Sequence, residues 1–145
     1  MISRFLVLSF ILIISTPTVH AEDGADHLQQ ISSFFALIKK GQPKEAAEDL
    51  LSTNMEASSR MENKLSVENG LERMKDTLGA FKDFNIIREK KIGDRIVYVL
   101  AFALYEKQPV RFEFIFYKPE EKWLFLNVNF GLQTVEDILA VGRLP

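Results

Sequence analysis

Apolar residues recur every three or four positions through the first half of this chain and every second position through the second half. Leu28, Ile31, Phe35 and Ile38 make one stripe across residues 26–40, the spacing of a single helix face. Asp26 is placed to cap that helix, and Lys39-Lys40-Gly41 supplies a basic last turn and a stop glycine. Pro43 suits the first position of a second helix over residues 44–51, with Ala46, Ala47, Leu50 and Leu51 turned inward. Residues 52–64 are polar and read as a loop or weak helix. Ser66 is placed to cap a third helix, whose stripe is Val67, Leu71, Met74 and Leu78 and whose end is Gly79.

Beyond Gly79 the period becomes two. The pattern predicts strands over residues 84–91, 95–105, 110–117 and 122–130, separated by Gly93-Asp94, Glu106-Lys107-Gln108-Pro109 and Lys118-Pro119-Glu120-Glu121. The second strand is too rich in Val, Ile, Tyr and Phe for a helix of that length. Thr134, with Asp137 three residues on, resembles a cap for a short last helix over Val135, Ile138 and Leu139. Helices first and antiparallel strands after give an α+β order, with about four strands in the sheet.

Pairing Tyr117 with Trp123 registers the last hairpin. Phe112, Phe114, Phe116, Leu124, Leu126, Val128 and Phe130 then share one apolar face, which the helices must cover. The other face carries Arg111, Glu113, Ile115, Tyr117, Trp123, Phe125, Asn127 and Asn129. A slip of one residue would exchange the two sets. Neither face of the second strand is polar: Ile96, Tyr98, Leu100, Phe102 and Leu104 alternate with Val97, Val99, Ala101 and Ala103. A fully solvated outer face would alternate more, so a curled sheet, a partner or a ligand is expected over part of it.

The first 21 residues change where this domain is expected to act. One base, Arg4, precedes an apolar run from Phe5 to Ile14, and Val19-His20-Ala21 puts small residues before a cut. That is the layout of a secretory signal peptide, about half the length a membrane span needs. The expected division is a signal peptide at 1–21 and one domain at 22–145, exported to a periplasm or secreted, with no stable membrane anchor. Loss of Arg4 leaves the remainder one unit more negative than the full chain's −2. An acidic domain lacks the basic footprint of nucleic-acid binding. The chain has no cysteine, which excludes disulfides, thiol catalysis, cysteine metal sites and a lipid-modified cysteine. Only one histidine, His27, lies beyond the cut, so no metal and no cofactor are expected.

The chain resembles the nuclear transport factor 2-like (cystatin-like α+β) superfamily, and its small exported members of unknown function in particular. The likeness lies in Phe34-Phe35-Ala36-Leu37-Ile38-Lys39-Lys40-Gly41, in Ala46-Ala47-Glu48-Asp49-Leu50-Leu51-Ser52, and in the hairpin Tyr117-Lys118-Pro119-Glu120-Glu121-Lys122-Trp123-Leu124. The resemblance implies a cone of helices packed into a strongly curved sheet, a pocket at its open end, and often a dimer formed through the sheet. It does not choose between binding and catalysis.

Enzymes of that fold often carry a pocket histidine and aspartate. His27, beside Asp26 and a few residues past the cut, reads as an exposed terminal residue. Tyr98, Arg111, Glu113, Asn127 and Asn129 are the candidate ligand-binding residues, able to line a polar pocket mouth; as an ordinary strand face they would be a solvated ion pair worth under about 1 kcal/mol. Tyr117, Trp123 and Phe125 are the candidate homodimer surface, since aromatics are enriched in interface cores, or else the filling of a curled sheet. No catalytic residue is assigned. The expected function is an exported, non-catalytic domain that binds a small molecule or a protein partner. The rivals are a pocket enzyme using Glu113, Tyr98 or Arg111, and an inhibitor or immunity-type module acting through an exposed edge strand.

Overall fold

The computed structural model describes residues 25–54, 56, 61–133 and 135–143. The expected signal peptide, Thr134 and part of the polar segment before the third helix lie outside them.

Helix α1 spans Ala25–Lys39. Asp26 sits within its first turn and is not the cap; there it faces the positive end of the helix dipole. Gly41, at φ +76, ends the helix. Its N–H donates to Ile38 O at 2.9 Å and that of Gln42 donates to Leu37 O at 3.0 Å, the paired bonds of a Schellman ending. Helix α2 spans Pro43–Ser52 and buries Ala46, Ala47, Leu50 and Leu51. Helix α3 spans Met61–Leu78, so Ser66 lies inside it. The expected cap fell inside the helix because Glu62, Asn63 and Lys64 read as part of a polar segment. Leu71, Met74 and Leu78 are buried as the stripe required. Gly79 breaks the helix at φ +81, a backbone shape open to glycine at little cost.

Strands β1 (Phe81–Ile92), β2 (Ile96–Tyr105), β3 (Pro109–Tyr117) and β4 (Leu124–Leu132) follow, then a short helix α4 (Val135–Gly142). The sheet is antiparallel in the order β1-β2-β3-β4. This is the α+β class read from the periodicities, with helices α1, α2 and α3 ahead of the sheet among the described residues. Irregularities in register fall between Phe81 and Asp83, Ile86 and Arg88, and Ile115 and Phe116; each bends its strand and adds twist.

The core lies between α1, α2, α3 and one face of the sheet. On that face β2 presents Val97, Val99, Ala101 and Ala103, all fully buried. Their partners on β3 are Phe116, Phe114, Phe112 and Val110. Small residues on one strand leave room for large ones on the next. Phe34 and Phe35 of α1 fill that room, with Phe34 5.7 Å from Phe114 and Phe35 5.3 Å from Phe112 between ring centres. Each buried aromatic of this size contributes about 1.5–3 kcal/mol of gross driving force.

The last hairpin corrects the expected register. Phe112 pairs with Phe130 and Glu113 with Asn129, two residues away from the expected pairing. A shift of two keeps each side chain on its face. Past Ile115 the register slips by one, so that Phe116 pairs with Phe125. Beyond that slip the faces exchange. Trp123 and Phe125 turn into the core, 5 % and 2 % exposed. Leu126, expected inside, is exposed, and Leu124 is half-buried.

Gly70 sets the approach of α3 to β4, since a Cβ there would stand 2.6 Å from Phe130 Cε2. Ala101 is fully buried under the aromatic layer. We expect Phe34→Ala to cost about 3–5 kcal/mol through the cavity it leaves. Ala101→Leu should cost about 1–3 kcal/mol by overpacking the same layer. Urea unfolding with unchanged m-values measures both.

Candidate functional site

Four of the five candidate ligand-binding residues meet at one carboxylate. Glu113 Oε1 accepts the Tyr98 hydroxyl at 2.7 Å, and Oε2 accepts Asn129 Nδ2 at 3.1 Å. Arg111 Nη2 stands 3.6 Å from Oε2. The strand period puts Arg111 and Glu113 on one side of β3, while the pairings Leu100 with Glu113 and Glu113 with Asn129 bring in the neighbouring strands. Burial, with the Glu113 bond and charge added, pushes the Tyr98 phenol up to about 12, so it remains a donor at neutral pH. Asn127 stays outside the cluster, paired with Ile115 and exposed.

This cluster lies on the sheet face away from the helices. There Leu100 and Phe102 are only 4 % and 9 % exposed although neither belongs to the helix-side core. Part of the second face is therefore closed to water, as its composition required. Of the three aromatics expected on it, only Tyr117 is surface-exposed, at 36 %.

His27 is the residue the sequence reading misjudged. It is fully buried. Its Nε2 is 3.1 Å from Glu89 Oε1, and its ring lies 5.2 Å from Trp123 and 5.7 Å from Phe116 between centres. Its Nδ1 has no hydrogen-bond partner. The signal was available in the spacing 27, 31, 34, 38, a helical stripe that begins on the histidine. Burial lowers the His27 pKa from 6.5; Glu89 and Asp26 pull it upward without overcoming that, and Lys91 adds to the lowering.

A separate hollow is lined by neither the Glu113 cluster nor the His27–Glu89 pair. That hollow, about 120 Å³, lies where the end of α1, the start of α2, α3 and the start of β1 converge on Tyr105. Its wall is Ile38, Leu71, Phe81 and Tyr105, and its rim holds Lys39 and Lys75. A Cβ on Gly41 would be 3.8 Å from Lys75 Nζ, so the ammonium stands over the glycine. Neither lysine has an ion-pair partner among the described residues. Tyr105 is 7 % exposed, stacks edge-on against Phe81 at 5.5 Å, and has its phenol pushed up to about 12 by burial. Sequence reading missed this site because its residues come from five elements and share no motif. Among the described residues no group of three or more His, Cys, Asp or Glu could hold a metal ion, and no helix is long and apolar enough to cross a membrane.

No protein-family model matches the sequence, and no curated protein is similar enough to count as a match. Among solved structures the chain is similar to a 2.00 Å crystal structure from Campylobacter jejuni described as an NTF2-like transpeptidase. The match has a TM-score of 0.53 and 16% identity, covering 70% of this chain and 97% of the other. At that identity the likeness carries the fold alone. The chain has the nuclear transport factor 2-like fold, whose members include both binders and catalysts.

The burial of His27 predicts the sign of a pH dependence in stability. Above pH 6.5 His27 is neutral in both states. Below it the unfolded chain takes up a proton that the folded one resists, so stability falls on acidification, by at most about 1.4 kcal/mol per pH unit. Urea melts at about pH 7.5 and about pH 5.5 should show a smaller loss in His27→Gln than in the parent; equal losses would contradict the assignment.

Proposed function

We propose that this chain is an exported, non-catalytic binding domain for a small amphipathic anion, such as a short carboxylic acid. The observation that carries the reading is the hollow at Tyr105. It combines an apolar wall, a desolvated phenol with no described hydrogen-bond partner, and two rim ammoniums without described counterions. Each element answers one part of such a ligand. Ile38, Leu71 and Phe81 accept the hydrocarbon, Tyr105 donates to a carboxylate oxygen, and Lys39 and Lys75 favour the negative charge.

Size limits the ligand. An apolar cavity near 150 Å³ holds about one benzene, and this one is about 120 Å³. A short acyl chain or a single ring fits, and a sterol or a peptide does not. The catalytic alternative has less support. Glu113 spends its oxygens on Tyr98, Asn129 and Arg111, on a sheet face and not within the hollow. Export rests on the charge and apolar layout of residues 1–21. A secretory route agrees with the absence of cysteine from a chain that relies on its aromatic core.

Native mass spectrometry of the protein from its own host should find a chain starting at Glu22 with a small acid retained. Calorimetric titration with butyrate and benzoate should give saturable binding. Tyr105→Phe removes a buried donor to a charged group, worth about 1.5–3 kcal/mol, or a roughly 10- to 100-fold loss of affinity. Lys75→Gln acts at an exposed rim and should cost only a few-fold, more at low salt than at high. Because the Tyr105 phenol holds its proton to about 12, affinity should show no tyrosine step at ordinary alkaline pH. Absence of binding, or binding indifferent to Tyr105→Phe, would refute the site.

A further inference from the structure

We propose that two copies of this chain join edge to edge, strand β4 against strand β4, with Val128 at the twofold axis. The two edges of the sheet are built differently. β1 carries Lys82, Asp83, Arg88, Glu89, Lys90 and Lys91 over 12 residues and has two register irregularities. Charge and bulges are the usual protection of a sheet edge against pairing with another chain. β4 reads Leu-Phe-Leu-Asn-Val-Asn-Phe-Gly-Leu, contains no charged residue, and has its one irregularity at Leu126, just before the stretch from Asn127 to Phe130.

The free edge of β4 is occupied at its start and open at its middle. Trp123 O accepts from Gln30 Nε2 at 2.9 Å. The Phe125 N–H donates to Thr53 Oγ1 at 3.2 Å, and Phe125 O accepts from Asn54 Nδ2 at 2.9 Å. Gln133 Nε2 donates to Gly131 O at 3.0 Å and to Leu132 O at 3.2 Å. Between these points, from Asn127 to Phe130, no described group outside the sheet bonds the backbone. The open stretch is therefore bracketed on both sides and centred next to Val128.

The occupant is identified by the strand's own sequence, which reads nearly the same from either end. About Val128, Asn127 mirrors Asn129, Leu126 mirrors Phe130, and Leu124 mirrors Leu132. Two such strands run antiparallel about a twofold axis would set Val128 against Val128, asparagine against asparagine, and leucine against phenylalanine. The apolar ones among them are good cross-strand pairs. Phe125 against Gly131 breaks the match, but the bonds from Thr53 and Asn54 hold Phe125 outside the open stretch. An unrelated strand would gain nothing from this symmetry; a second copy uses all of it. Leu126 and Leu132, 42 % and 57 % exposed, are the apolar side chains such pairing would cover. Beside them, hollows of about 280 and 310 Å³ between α3 and β4, sharing Gly70, Arg73 and Phe130, leave room for side chains of the second copy.

The absence of cysteine makes the test direct. The protein expressed in its own host should elute with light scattering at twice its monomer mass. Val128→Cys should form an intermolecular disulfide under mild oxidation, because directly opposed residues fall within disulfide reach of one another. Ile92→Cys on β1, more exposed than the half-buried Val128, should not. Leu126→Lys should give a monomer with unchanged circular dichroism, whose thermal midpoint no longer depends on protein concentration as that of the dimer does. A wild-type protein that stays monomeric at its solubility limit would overturn the proposal. So would cross-linking through Tyr117→Cys on the sheet face in place of Val128→Cys, or a Leu126→Lys protein that remains a dimer.

Discussion

The volume exchange between two neighbouring strands governs this molecule. β2 gives the helices four small side chains, and β3 gives them three phenylalanines and a valine directly across the ladder. Protein interiors are close-packed, so an alanine row beside a phenylalanine row has one good filling. The Phe34-Phe35 pair supplies it and thereby fixes the height and rotation of α1. α2 is tied to α1 by the Schellman turn at Gly41. The hollow at Tyr105 is the space left where this packing stops, at the end of the layer that Phe81 and Tyr105 close.

Polar chemistry is distributed around that constraint in two different ways. On the far sheet face, Glu113 is surrounded by donors and is satisfied. At the start of α1, His27 is packed against Trp123 and Phe116 and bonds through one nitrogen only. The second arrangement costs stability, and it is tolerated because Glu89 compensates one side of the ring. At the Tyr105 hollow neither the phenol nor the two ammoniums has a polar partner among the described residues, and for that reason the proposed binding site is placed there and not at either of the other two clusters.

Most of the architecture could be read from side-chain spacing. The stripe Val67, Leu71, Met74, Leu78 located α3, and the four inward residues of α2 were correct individually. The small and large rows of β2 were visible as rows. Tyr98, Arg111, Glu113 and Asn129 were grouped correctly because a register error of two residues preserves faces. The failures share a cause. His27 was judged by its distance from the chain's beginning and not by its place on the helical stripe. Trp123 and Phe125 were assigned to the wrong face because a register slip leaves no mark in a run such as Leu124-Phe125-Leu126, where every residue is apolar. The hollow at Tyr105 was illegible because convergence of five elements is a property of packing and not of any segment.

The slip between Ile115 and Phe116 has a consequence for how this hairpin can change in length over evolution. It works as a phase shifter: upstream and downstream halves of β4 obey opposite inside–outside rules, and Leu126 is the joint. Loss or gain of one residue at that joint would send Trp123 and Phe125 outward and strip His27 and Phe116 of their neighbours. The turn at residues 118–122, a few positions earlier, belongs to neither rule, and a change in its length leaves both intact at the cost of its bonds to Arg95. Length variation among relatives of this chain should therefore gather in the turn and avoid the joint.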